Sequence, residues 1–128
     1  MEREIINELI KWKDSNNRKP LIVYGARQVG KTYIIKEFGK KYYDNIVYVN
    51  FETNYELSSA INDGIEAKYI INKLELFYGE KIEPGKTLIF FDEIQANERA
   101  LTSLKYFCED ANEYHIIAAG SLLGIAIN

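Results

Sequence analysis

Cysteine and histidine occur once each, as Cys108 and His115, so the 128-residue chain can close no internal disulfide and cannot build a zinc site from these two ligands alone. Only two prolines and eight glycines are present, which excludes collagenous and low-complexity classes. Long apolar runs are lacking: stretches such as Leu88 to Phe91 fall far short of the roughly 20 residues that span a bilayer, and no membrane partner is expected. Positive charge is not in excess. Sixteen Lys and Arg against nineteen Asp and Glu leave a formal net charge of −3, so no global basic field draws the chain to nucleic acid. The start Met1-Glu2-Arg3-Glu4 has no secretory pattern, and a reducing cytoplasm is the expected compartment. Cys108 reads as a small buried apolar residue of a helix.

With 47% hydrophobic and 27% charged residues, the length and composition fit one compact domain with a packed core. Residues 2 to 13 place Ile5, Ile6, Leu9 and Ile10 on one helical stripe, closed by Trp12. After a polar break, Pro20 opens Leu21-Ile22-Val23-Tyr24, a short buried strand. Beyond Gly25 to Gly30, residues 31 to 38 have helical spacing, and Gly39 is placed as the C-terminal stop. Ile46 to Phe51 reads as a second strand. Two helical segments follow, at about 56 to 61 and 67 to 78, the latter with Ile70, Ile71, Leu74, Phe77 and Tyr78 inward. Glu83-Pro84-Gly85-Lys86 is a turn before a third strand, Thr87 to Phe91, buried on both faces. A helix from about Glu98 to Ala111, with Leu101, Leu104, Phe107 and Cys108 inward, precedes a fourth strand, His115 to Ala119. Strands separated by helices predict a parallel sheet, because parallel neighbours need long crossovers.

The segment Gly25-Ala26-Arg27-Gln28-Val29-Gly30-Lys31-Thr32 fits the phosphate-loop spacing of Gly, four residues, Gly, Lys and Thr. Backbone N–H groups freed by the glycines converge on a polyphosphate at a helix N-terminus. Lys31 is then expected to neutralise the β and γ phosphates and the Thr32 hydroxyl to ligate Mg²⁺. The third strand delivers Asp92-Glu93 at its carboxyl end, where open α/β sheets place ligands. Alternation along a strand sends the two carboxylates to opposite sides: Asp92 is expected to hold the magnesium through water, and Glu93 to orient or deprotonate an attacking water. Ser121, after the fourth strand, could contact the γ phosphate or cap an ordinary turn. Glu52 occupies a similar place after the second strand but reads better as a solvated acid. Arg27 could touch phosphate, a neighbouring subunit or solvent. Lys36, Lys40 and Lys41 read as a solvated helix end. The ten tyrosines do not interleave with basic residues and suggest no base-stacking platform.

Leu21 to Thr32, Val47 to Glu52, Phe91-Asp92-Glu93-Ile94-Gln95, Leu104 to Asp110 and Ala118 to Gly124 together resemble the prokaryotic AAA-type ATPases whose core is followed by a restriction-endonuclease-like DUF4143 domain. The resemblance implies a P-loop NTPase fold, a three-layer α/β/α sandwich around a parallel sheet of order 5-1-4-3-2. Ser121 would then be the polar sensor of the strand between the phosphate-loop strand and the acid strand, and ATP with Mg²⁺ the cofactors. Residues 1–128 would be the N-terminal part of such a domain, with strand 5, the lid and the C-terminal domain absent. In that case protein or DNA partners would be met through the missing portion, and Leu21 to Tyr24 would be an unprotected sheet edge prone to self-association. Two other readings compete with ATP hydrolysis: a nucleotide-dependent switch or scaffold, and a small-molecule kinase.

Overall fold

A computed structural model of the chain describes residues 2–25 and 29–121. Its elements are α1 (Glu2–Asp14), β1 (Leu21–Gly25), α2 (Val29–Tyr42), β2 (Asn45–Asn50), α3 (Tyr55–Ile61), α4 (Ala67–Tyr78), β3 (Thr87–Asp92), a 3-10 turn (Ile94–Ala96), α5 (Glu98–Asp110) and β4 (His115–Ser121). All strand pairs are parallel and the order is β1-β4-β3-β2, the α/β arrangement expected of a P-loop NTPase-like fold. Among the described residues β1 and β2 form the sheet edges.

Side-chain alternation along the central strands builds two cores, one on each face of the sheet. Leu88 and Phe90 of β3, with Ile117 and Ala119 of β4, pack beneath α1 and α2 against Leu9, Ile34, Ile35 and Phe38. Ile89 and Phe91, with Ile116 and Ala118, pack under α3, α4 and α5 against Leu57, Ile70, Leu74 and Phe107. Phe90 and Phe91 therefore lie on opposite faces, both without solvent exposure, and each contributes about 2–3 kcal/mol of apolar burial. This double coverage is why β3 and β4 read as continuous apolar runs instead of alternating ones.

Several local expectations are corrected. Gly39 does not stop α2, which runs on to Tyr42. A Cβ at Gly39 would lie 2.5 Å from Ile46 Cδ1 and 3.0 Å from Leu88 Cδ2, so the glycine lets the helix lie directly on the sheet. Phe77 is 44% exposed, because the buried stripe of α4 consists of Ala67, Ile70, Ile71 and Leu74. Gly79, in the left-handed region at φ 68°, ends that helix. Cys108 is half-buried and free; Ala100, Ser103, Leu104 and Phe107 are the buried positions of α5. β2 begins at Asn45 and ends before Phe51.

His115, the first residue of β4, is buried at the amino-terminal edge of the sheet. Its Nδ1 lies 2.6 Å from the Tyr43 hydroxyl, and Trp12 packs edge-on against its ring. Burial, reinforced by Arg18 and Lys13, lowers its pKa to about 4, so it serves as a neutral core residue.

Candidate functional site

Because the strands are parallel, their carboxyl ends meet at one edge of the sheet. Gly25 of β1 pairs in register with Ser121 of β4, and Asn50 of β2 with Asp92 of β3. The α2 helix starts above this edge and carries Lys31 and Thr32 in its first turn. Lys31, Thr32, Asp92, Glu93, Ala119, Gly120 and Ser121 line one small cleft there.

Asp92 is in phase with Leu88 and Phe90, on the face that α2 covers. It is 5% exposed, and both carboxylate oxygens accept hydrogen bonds. Oδ1 accepts from the Glu93 backbone N–H at 2.9 Å. Oδ2 accepts from the Thr32 hydroxyl at 2.9 Å and from the Tyr48 hydroxyl at 2.7 Å. Three donors offset the desolvation of a buried carboxylate and fix its orientation. The Lys31 ammonium donates to the Gly120 carbonyl at 3.3 Å, which sets a positive charge at the end of β4.

Glu93 departs from the expected strand alternation. Its backbone lies in the left-handed region, φ 50° and ψ 47°, a conformation that costs a non-glycine residue roughly 1 kcal/mol or more. The chain thereby leaves β3 abruptly and enters the 3-10 turn. Glu93 faces the same cleft as Asp92, and its Oε1 accepts from Gln95 Nε2 at 2.8 Å. The other end of that amide, Gln95 Oε1, accepts from the Ser121 backbone N–H at 3.3 Å.

Of the residues singled out from the sequence, Lys31, Thr32, Asp92, Glu93 and Ser121 converge. Gly25 ends β1, and Val29 and Gly30 open α2. Among the described residues, nothing stands within 4 Å of where a Gly30 Cβ would be. Ala26, Arg27 and Gln28 lie outside the described residues. Glu52 is half-buried, its N–H bonded to Asn50 Oδ1, and it is not among the described residues lining the cleft.

Two neighbours escaped the sequence reading. Tyr48 reaches Asp92 from β2, and burial, then the Asp92 carboxylate, raises its phenol pKa and keeps it protonated. Lys36, expected in solvent, sits 3.8 Å over the Tyr48 ring, a cation–π contact. The signal for Tyr48 was available: Val47 and Val49 face one core, so Tyr48 must face α2, beside Phe90 in register. Gln95 gave no signal beyond its place two residues after Glu93.

A roomier cavity, about 550 Å³, lies between α4 and the 81–86 turn. It opens at the amino-terminal edge of the sheet and mixes Lys68, Lys81 and Lys86 with Glu75 and Glu83, so no single charge converges on it. Among the described residues there is no cluster of three or more His, Cys, Asp or Glu that could hold a metal ion by itself, and no helix is long and apolar enough to cross a membrane.

The first turn of α2, with Lys31 and Thr32 beside the acidic end of β3 at the carboxyl edge of a parallel sheet, can be set beside known proteins. A family model described as an AAA domain matches residues 17–128. The chain belongs to this family of AAA domains. Membership places it among the nucleotide-binding AAA-type ATPases. A curated relative, Uncharacterized protein MJ1544 of Methanocaldococcus jannaschii, is 34% identical to this chain over 94 residues, which is 73% of this chain and 19% of that protein. The chain thus spans about a fifth of the length of the curated relative it matches.

Proposed function

We propose that this AAA domain binds ATP with Mg²⁺ at the carboxyl edge of the sheet and hydrolyses it. The observation that carries the reading is the 2.9 Å hydrogen bond between Thr32 and Asp92, which joins the start of α2 to the end of β3 beside the Lys31 ammonium. The donor chemistry fits both partners. A hydroxyl and a carboxylate are the oxygen ligands a hard divalent cation prefers, and an ammonium near a helix N-terminus suits a polyphosphate.

In this reading the backbone amides between Gly25 and Thr32 receive the phosphates, and Lys31 exchanges its bond to the Gly120 carbonyl for phosphate oxygens. The Thr32 hydroxyl and Asp92 hold the cation, with Tyr48 keeping the Asp92 carboxylate in place. Magnesium, when bound, neutralises charge on the phosphate oxygens. Glu93 orients the attacking water and accepts its proton, while Ser121 addresses the terminal phosphate from β4. An acid placed beside Asp92 in the same cleft favours water over an organic acceptor, and so hydrolysis over phosphoryl transfer to a small molecule.

The test is Glu93→Gln, which keeps the shape and removes the base. ATP affinity is expected to stay within about twofold while turnover falls by about 100-fold or more. Turnover equal to wild type would overturn the assignment of Glu93.

A further inference from the structure

Asp92 and Glu93 are neighbours in sequence, yet they are held in different ways. The Asp92 carboxylate receives three donors from β3, α2 and β2. The Glu93 Oε1 accepts from the side-chain amide of Gln95, on the turn that Glu93 itself initiates. That turn is pinned at both ends. Ile94 is completely buried, Ala96 N–H donates to the Glu93 carbonyl at 3.1 Å and Asn97 N–H to the Ile94 carbonyl at 3.1 Å. Asn97 then caps α5 through Ala100 N–H at 3.0 Å and donates its side-chain amide to Ser58 Oγ at 2.7 Å. Gln95 therefore projects from a fixed platform and is itself half-buried.

The chemistry of its two contacts selects a primary amide. A carboxylate needs a donor and a backbone N–H needs an acceptor. Among side chains that do not titrate near neutral pH, Asn and Gln alone present the donor and the acceptor on two separate atoms. Glu at this position could accept from Ser121 but would set a second carboxylate against Glu93. Lys could donate to Glu93 but would leave the Ser121 N–H facing a cation.

We infer that Gln95 is the positioning residue that ties the Glu93 carboxylate to the Ser121 end of β4, so that the water-activating group and the strand end facing the terminal phosphate move together. The inference rests on the proposed roles of Glu93 and Ser121. Its physical content, a coupling of the two residues through one amide, can be read without hydrolysis. When a ligand displaces the end of β4, the Gln95 amide carries the displacement to Glu93.

Two measurements on the intact protein test it. In the first, nuclear magnetic resonance follows the Ser121 backbone amide and the Gln95 side-chain amide in nucleotide-free protein. Glu93→Ala is expected to shift both in the wild-type background, and most of the Ser121 shift is expected to vanish in a Gln95→Ala background. A Ser121 shift of equal size in both backgrounds would overturn the coupling, whatever the protein does with ATP. The second is a double-variant cycle in turnover. Gln95→Ala is expected to lower kcat by about tenfold or more with ATP KM nearly unchanged. Gln95→Asn, one methylene too short to span both contacts, is expected to give no rescue. In a Glu93→Gln background, Gln95→Ala is expected to have little further effect. A loss of the same factor in both backgrounds, or a parallel loss of ATP affinity, would make Gln95 merely part of the fold and overturn the inference. Wild-type turnover in Glu93→Gln would sink the role of Glu93 and leave the first measurement to decide the coupling.

Discussion

Replacing Gly39 by Ala sets two effects of known sign against each other. In the interior of a helix, Ala is favoured over Gly by about 0.5–1 kcal/mol, so an α2 that met only solvent at this position would be stabilised. Here the added Cβ would stand 2.5 Å from Ile46 Cδ1, 2.7 Å from Ile46 Cγ1 and 3.0 Å from Leu88 Cδ2. Leu88 is wholly buried and has nowhere to go, whereas Ile46 is half-buried on an edge strand and can turn aside at some cost. Forcing a methyl into such a seat costs about 1–3 kcal/mol. The net expectation is destabilisation by about 1 kcal/mol, equivalent to a fall of about 4 °C in Tm. Chemical denaturation of Gly39→Ala, Ile46→Ala and the double variant reads the balance. With Ile46 truncated the main clash is gone, and Gly39→Ala should become neutral or stabilising. A stabilised Gly39→Ala in the wild-type background, or the same change in both backgrounds, would refute the packing argument. The point bears on the site, since the same helix carries Lys31 and Thr32 and its seat on β2 and β3 sets how closely Thr32 meets Asp92.

Tyr48→Phe removes one of the donors to Asp92 Oδ2 while keeping a ring beneath Lys36. A hydrogen bond to a charged group contributes about 1.5–3 kcal/mol, so the Mg²⁺ concentration for half-maximal turnover is expected to rise about tenfold, with metal-free nucleotide affinity unchanged. Equal effects with and without metal would remove Tyr48 from the site. His115 predicts a pH dependence of stability. Its folded-state pKa of about 4 lies below the ordinary 6.5, so the unfolded chain takes up the proton first and stability falls as pH drops from 6.5 towards 4. The slope approaches about 1.4 kcal/mol per pH unit, and His115→Gln should flatten this part of the curve in denaturation at pH 7, 6 and 5. Parallel curves for the two proteins would contradict it.

The outline of the fold was legible wherever local chemistry and burial agree. The α4 helix was read with the bounds it has, because an apolar stripe ends at a glycine that adopts the left-handed region. β3 and β4 were legible as runs covered on both faces. What failed was whatever depended on a neighbour distant in sequence. Gly39 looks like a stop until Ile46 and Leu88 are known to lie under it, and Phe77 continues a stripe for which the fold has no more core. In the candidate site, residue types marked Lys31, Thr32, Asp92, Glu93 and Ser121, but the arrangement around them is tertiary. Strand alternation misplaced Glu93, since a single residue at φ 50° takes it off the strand. Tyr48 and Gln95 were missed because their partners come from across the sheet and from β4, with no spacing motif to announce either.

In the proposed function the segment from Gly25 to Thr32 grips a nucleoside triphosphate through its phosphates, with Lys31 supplying the opposing charge. Isothermal titration of ATP, with Mg²⁺ present, into the wild-type chain and Lys31→Ala addresses it most directly. The wild type is expected to bind at a single site and Lys31→Ala at least about tenfold more weakly, as follows from losing a charge-assisted contact. Equal affinity in the two proteins would contradict the account.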